Sequence, residues 1–239
     1  MTAVAPPCDA HIYPIPFKYG LRRFTDSLKR QRRTRIVAIG SSSTAGTNGI
    51  VPYPNRLEML LRQRPQWYGR MIDVINRGFG GQEAGDELSR FECDVIGETP
   101  ALVIWQVGTN AVFYYQAYSP DAVEAAIAAG LGWLEALPID VVLMDMQYTA
   151  GLVTESAKIE RAKDIEARIL RVAEQAGVNV FRRFALMKRW CGDGIPLAQM
   201  DDGHEPNLHM SDWATACVTQ ALLDAIAGAP APAAEAADR

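Results

Sequence analysis

The chain has 239 residues, 49% hydrophobic and 22% charged. That balance belongs to an ordinary globular protein and excludes disordered, collagen-like and coiled-coil chains. A formal net charge of −4 gives the bulk protein no attraction to nucleic acid, which is not expected as a partner.

No window approaches the ~20 apolar residues of a membrane span. The start, MTAVAPPCDAHIYPIP, lacks the basic-then-apolar order of a signal peptide. The expectation is a cytoplasmic chain, or a mature secreted form carrying a new Met1. Residues 1–20 are Pro-rich and aperiodic, and read as a surface wrap. Residues 22–35 carry seven Arg or Lys, read as a solvated helix face ahead of the first strand. Residues 1–34 are therefore an N-terminal extension with a basic helix, 35–228 the domain, and 229–239 a disordered, low-complexity tail.

Within the domain, Arg35–Gly40 is a β-branched apolar run closed by Gly, the pattern of a buried strand. A helix is predicted over Pro54–Arg64 and a second strand over Met71–Ile75. Glu83–Phe91 is helical, and Leu102–Val107 is a third strand. Ser119 and Pro120 are the cap and first turn of a helix. Ile139–Met144 is a fourth strand. Glu155–Ala176 is a long amphipathic helix with Ile159, Ala162, Ile165, Ile169 and Ala173 on one face, ended by Gly177. Val178–Phe181 is a fifth strand, and Ser211 caps a last helix. Strands alternating with helices predict a three-layer α/β/α sandwich around a five-stranded parallel sheet, flavodoxin-like in class. Ligands of such sheets bind where the strands end.

The segments after the strands carry the candidate chemistry. Gly40-Ser41-Ser42-Ser43 follows the first strand. It lacks the Lys of a phosphate-binding loop, and presents either an exposed serine nucleophile or a polar turn without chemistry. Gly78-Phe79-Gly80-Gly81 follows the second strand and offers backbone N–H groups. Gly108-Thr109-Asn110 follows the third, and an Asn amide donates to a developing oxyanion or caps a turn. Asn207-Leu208-His209-Met210-Ser211 precedes the last helix. The remaining histidines are His11, read as a surface residue, and His204.

Order and spacing together make this chain resemble the SGNH hydrolase superfamily, the GDSL-type esterases and lipases, over roughly residues 35–225. The resemblance implies a metal-independent, cofactor-free serine esterase. Ser42 stands in the nucleophile position, with Ser41 replacing the Asp of the Gly-Asp-Ser block. Gly81 and Asn110 match the two oxyanion donors, joined by the Ser42 N–H, and His209 matches the base. The superfamily's acid lies three residues before the base, where this chain has Pro206. Asp202 is the first substitute considered, with Asp201, Glu205 or a backbone carbonyl as alternatives. Asp201-Asp202-Gly203-His204 is itself an Asp-x-x-His, so His204 paired with Asp201 remains the rival base, although LHMSDW leads straight into the capped helix. Ala111 stands where the superfamily often has Asp.

Tyr148, after the fourth strand, is a substrate-contact candidate or a packed rim aromatic. Phe113, Tyr114, Tyr115 and Tyr118 form an aromatic wall or a cover for the sheet edge. Trp105, Gln106, Met187 and Trp190 read as core. The cysteines fit no zinc spacing, and Cys8 and Cys217 are read as free buried thiols, with a bridge between them as the alternative. The expected partner is a small-molecule or carbohydrate ester with a short acyl group. A catalytically inactive carbohydrate-binding or scaffold protein on the same frame is the alternative. The oligomeric state is left open.

Overall fold

A computed structural model describes Cys8 and residues 13–230 of the chain. His11 and the segment 231–239, which holds most of the expected tail, lie outside the described residues. Five strands, β1 (Arg33–Gly40), β2 (Met71–Gly78), β3 (Leu102–Gln106), β4 (Asp140–Met144) and β5 (Asn179–Phe181), form one sheet. All neighbours pair in parallel, in the order β2-β1-β3-β4-β5.

The central strands carry continuous apolar runs, Ile36–Ile39, Leu102–Trp105 and Val141–Met144, because both sheet faces are covered. Side chains alternate between two cores at the period-2 spacing of a pleated strand. Ile36, Leu102, Ile104, Val142 and Met144 face one core; Val37, Ile39, Val103, Trp105 and Leu143 face the other. The first core is closed by α1 (Arg22–Arg30), α3 (Tyr53–Gln63), α10 (Arg183–Gly192) and α12 (Asp212–Ala227). The second is closed by α5 (Phe91–Asp94), α7 (Pro120–Glu135) and α9 (Ser156–Ala176). This is the α/β/α sandwich expected from the alternation of elements.

The shorter helices sit at the strand ends. They are α2 (Ser42–Ala45), α4 (Ala84–Leu88), α6 (Thr109–Phe113), α8 (Ala150–Val153) and α11 (Leu197–Met200). α4 and α5 divide the single helix predicted over Glu83–Phe91. The Ser89 hydroxyl donates to Asp86 O, and the Arg90 guanidinium is drawn to Gln82, Asp94 and Gly40 O instead of lying along a helix face. Ser119 sits at the start of α7 but makes no side-chain cap bond, whereas the Ser211 hydroxyl accepts from Ala214 N at 3.1 Å.

Two expectations at the N-terminal end change. Within the expected N-terminal extension, Phe17, Leu21, Phe24 and Leu28 are buried in the first core, and β1 starts at Arg33 rather than Arg35. Cys8 and Cys217 are joined in a disulfide, not held as free thiols, with Cα atoms 5.1 Å apart. The apolar side chains of Tyr13 and Ile15 pack against the same core as α12 and bring the N-terminal segment alongside it.

Candidate active site

The order β2-β1-β3 leaves the chain departing from β1 in opposite directions along the sheet, the arrangement that opens a crevice at the carboxyl ends. The turns after these three strands carry Ser42, Gly81 and Asn110. Register brings them together: Gly40 pairs with Gly78, and Ile39 with Trp105. Gly78 is required by contact, since a Cβ there would lie 2.1 Å from Ala45 N in α2. Gly81 has φ +82, a left-handed conformation that side chains disfavour. The loop it belongs to lies beside the serine, with a Cβ built on Gly80 standing 3.9 Å from Ser42 Cβ.

Ser42 opens α2. Its N–H and that of Gly81 make no hydrogen bond among the described residues. Asn110 is buried, and its Nδ2 donates to Gln82 O at 2.7 Å. A side-chain amide has two N–H donors, so one remains for a further acceptor.

His209 reaches the same point from the far end of the chain. Its Nε2 lies 2.9 Å from Ser42 Oγ. The segment carrying it is pinned on both sides. Asp201 and Met210 form an antiparallel bridge, Asp202 N donates to His209 O, and Ser211 N donates to Met200 O. Gly151 N, in α8, donates to Asn207 O. His204 makes no contact with Ser42 and stands exposed, its N–H donating to Asp202 Oδ1 at 3.1 Å.

Of the acid candidates, Asp202 is the one beside the imidazole. Its Oδ2 is 3.7 Å from His209 Nδ1, beyond hydrogen-bond length, and accepts from Asn48 Nδ2 at 2.7 Å. Asp201 turns away to Ala150 N, and burial raises its pKa to about 6. Glu205 accepts from Asn207 Nδ2. Burial lowers the pKa of His209, and the nearby Asp202 carboxylate partly opposes this. The imidazole is therefore held toward its neutral, proton-accepting form.

Two buried networks escape the sequence reading. Gln106, expected as core, is fully polar in its contacts. Its Oε1 accepts from Ser41 N, Ser41 Oγ and Ser43 Oγ at 2.9–3.0 Å, and its Nε2 donates to Thr109 Oγ1. Thr109 donates in turn to Gln147 Oε1, and Gln147 Nε2 donates to Leu208 O at 2.9 Å, one residue before His209. The serine turn and the histidine segment are thus joined through the interior. The signal was present: a lone Gln ending the apolar run LVIWQ, and another after DM at the end of β4. The second network is built on Glu83, which accepts from the backbone of Ala84, Gly108 and Ala111.

The cavity next to Ser42 and His209 holds only about 20 Å³ and is lined by Gly46, Thr47, Ile50, Pro52, Met210 and Thr215 among others. Tyr148 is not among its lining residues; its ring packs on Phe184, with centroids 5.1 Å apart. Phe79 and Tyr114, on the turns of Gly81 and Asn110, are 64% and 50% exposed. Among the described residues no cluster of three or more His, Cys, Asp or Glu side chains is arranged to hold a metal, and no helix is long and apolar enough to cross a membrane.

The sequence model of the non-GDSL lipase-like family matches residues 7–231. Among solved structures, LAE5, an alpha/beta hydrolase enzyme from the metagenome of Lake Arreo, superposes with a TM-score of 0.69 at 20% identity, over 83% of this chain and 97% of that one. Axe2, an acetylxylan esterase from Geobacillus stearothermophilus, gives 0.68 at 18% identity, over 81% and 94%. A putative lipolytic protein of the G-D-S-L family from Desulfitobacterium hafniense gives 0.62 at 21% identity, over 80% and 99%. At these identities the likeness is one of fold. An uncharacterized lipoprotein of Bacillus subtilis, YqeF, is 33% identical over 76 residues, a match spanning 31% of each protein.

Proposed function

Because the chain belongs to the non-GDSL lipase-like family, we propose that it is a serine esterase hydrolysing carboxylic esters of short acyl groups through an acyl-enzyme. The observation that carries this reading is the 2.9 Å separation of His209 Nε2 from Ser42 Oγ. A serine hydroxyl becomes a useful nucleophile only when a base can take its proton.

In this reading His209 Nε2 accepts the Ser42 proton as Oγ bonds to the ester carbon. The carbonyl oxygen becomes an alkoxide, stabilised by the Ser42 and Gly81 N–H groups and the spare Asn110 amide hydrogen. Collapse breaks the bond to the leaving oxygen, which receives the proton from His209. Water then repeats the sequence on the acyl-enzyme, releasing the acid and restoring Ser42. Asp202 is the group that favours the imidazolium during both steps.

The cavity of about 20 Å³ beside Ser42 supports a small acyl group such as acetyl, since it is about the size of one water site. The exposed rings of Phe79 and Tyr114 offer apolar faces to a sugar ring on the alcohol side. An envelope or secreted setting belongs to the same reading. It is supported by the Cys8–Cys217 disulfide, a bond of oxidising compartments, and by the partial likeness to a Bacillus lipoprotein.

The test is hydrolysis of p-nitrophenyl acetate, butyrate and octanoate by wild type and Ser42→Ala. Turnover that falls with chain length and disappears in Ser42→Ala is expected. Undiminished turnover in Ser42→Ala overturns the Ser42 acyl-enzyme reading, and no turnover in wild type overturns the esterase reading and favours a non-catalytic binding protein on this frame.

A further inference from the structure

Glu83 is 2% exposed and has no part in the chemistry described above. It follows Gln82 on the turn of Gly81 and caps α4. Its Oε1 accepts from Ala84 N at 3.1 Å and from Gly108 N at 2.8 Å; its Oε2 accepts from Ala111 N at 2.8 Å. The last two donors flank Asn110. In the opposite direction, Asn110 Nδ2 donates to Gln82 O at 2.7 Å. The turns after β2 and β3 are therefore stitched together by one carboxyl group and one amide, and each turn supplies one oxyanion donor.

The three hydrogen-bond partners of this carboxyl are all backbone N–H donors, so both of its oxygens accept. The cap of α4 is completed within its own first turn, by Ala84 and the reciprocal capping box with Asp86. The reach to Gly108 and Ala111 crosses to a different strand end and fixes the α6 turn from beneath.

We propose that Glu83 is a positioning residue that sets the separation of the Gly81 N–H from the Asn110 side-chain amide. The inference rests on the reading of these two groups as oxyanion donors. Its consequence is specific. Loss of the clamp should weaken binding of the tetrahedral species while leaving ground-state binding of the ester nearly intact.

The experiment compares wild type, Ser42→Ala, Glu83→Gln, Glu83→Asp and Glu87→Gln. Readouts are kcat and KM for p-nitrophenyl acetate, Tm, and the inhibition constant of a trifluoromethyl ketone. That inhibitor forms a tetrahedral adduct when Ser42 Oγ adds to its carbonyl carbon and the serine proton passes to His209. Gln keeps the shape of Glu83 but turns one acceptor into a donor facing an N–H. Asp keeps both acceptors but falls a methylene short of the α6 turn. In both variants kcat should fall ~10–100-fold, KM should change by less than about twofold, and inhibitor binding should weaken by the same factor as kcat/KM. Glu87→Gln, one helical turn away and bonded to Trp105, should leave all three near wild type.

Folded Glu83 variants with wild-type kcat and inhibition constant overturn the positioning role alone, because wild-type turnover abolished in Ser42→Ala supports the underlying esterase reading in the same assay. Variants that lose their cooperative unfolding transition assign Glu83 to the scaffold and also overturn it. A wild type without turnover overturns the esterase reading, and the proposal with it.

Discussion

Asp202 stands 3.7 Å from His209 Nδ1 with its facing oxygen already held by Asn48. The carboxylate is close enough to favour the imidazolium by its field, yet the nearest donor to Oδ2 is an amide from the α2–α3 loop. Burial sets the direction for His209, lowering its pKa from 6.5. The acid limb of kcat/KM should therefore have its midpoint below 6.5 in wild type. Asp202→Asn removes the opposing charge and should move the limb further down, with kcat reduced about 10–100-fold. Asn48→Ala frees Oδ2 to act on the ring and should move the limb up. Full pH–rate profiles of the three proteins check this; an unmoved limb in Asp202→Asn would show that Asp202 does not act on the base.

The chain Gln106–Thr109–Gln147–Leu208 runs in one hydrogen-bond direction through the interior. Every side chain in it is buried, so no water can replace a missing partner. Gln147→Leu keeps the volume approximately but deletes the donor to Leu208 O and the acceptor for Thr109. A destabilisation of about 1–3 kcal/mol is expected. Turnover should fall about 10-fold, because the Leu208–His209 segment is then held at Leu208 O by the Thr149 hydroxyl alone. Chemical denaturation and p-nitrophenyl acetate kinetics measure the two effects. A variant less stable but equally fast would deny the network any influence on the distance from Ser42 to His209.

Glu87 is buried with Oε1 unpartnered, while Trp105 Nε1 donates to Oε2 at 2.7 Å. Burial, reinforced by the charge of Glu83, raises its pKa well above 4.5. Below the unfolded value both states hold the proton, and the neutral carboxyl contributes its full stability. As pH rises, the unfolded state ionises first, and that contribution is lost progressively up to the folded pKa, at up to about 1.4 kcal/mol per pH unit. Glu87→Gln cannot titrate. The Tm difference, variant minus wild type, should therefore grow in favour of the variant from pH 4.5 to pH 7.5. A difference independent of pH would mean that Glu87 titrates alike in both states.

The strands were legible because burial on both faces forces continuous apolar runs, and Ile36 to Ile39 or Leu102 to Trp105 have no other economical reading. Ser42, Gly81, Asn110 and His209 were legible because each follows a predictable strand end or precedes a capped helix. Asp202 comes first among the acid candidates from the sequence and is the one beside the imidazole, but its approach depends on a short antiparallel pairing of residues 201 and 210 that no periodicity announces. Gln106 is buried as the core reading expects, but the partners of Gln106, Gln147 and Glu83 are not legible in the sequence, because buried polar groups obey partners, not patterns. Their partners come from the turns after β1, β2 and β3 and from Leu208, ahead of α12, which no local pattern brings together. Cys8 and Cys217 were misread for a related reason: 209 residues separate them, and only the packing of Tyr13 and Ile15 beside α12 makes them neighbours.

The site is assembled from two parts with different tethers. Ser42, Gly81 and Asn110 rise from adjacent strands of one sheet and are fixed once β2, β1 and β3 pair. His209 belongs to none of these strands; it is held by residues 200–211 pairing with themselves and by contacts to α8 and Gln147. A local opening of that segment would withdraw His209 while the turns of Ser42, Gly81 and Asn110 stay formed. Under the proposed esterase reading, proton transfer and charge stabilisation are therefore expected to be lost separately on warming, the histidine segment opening first.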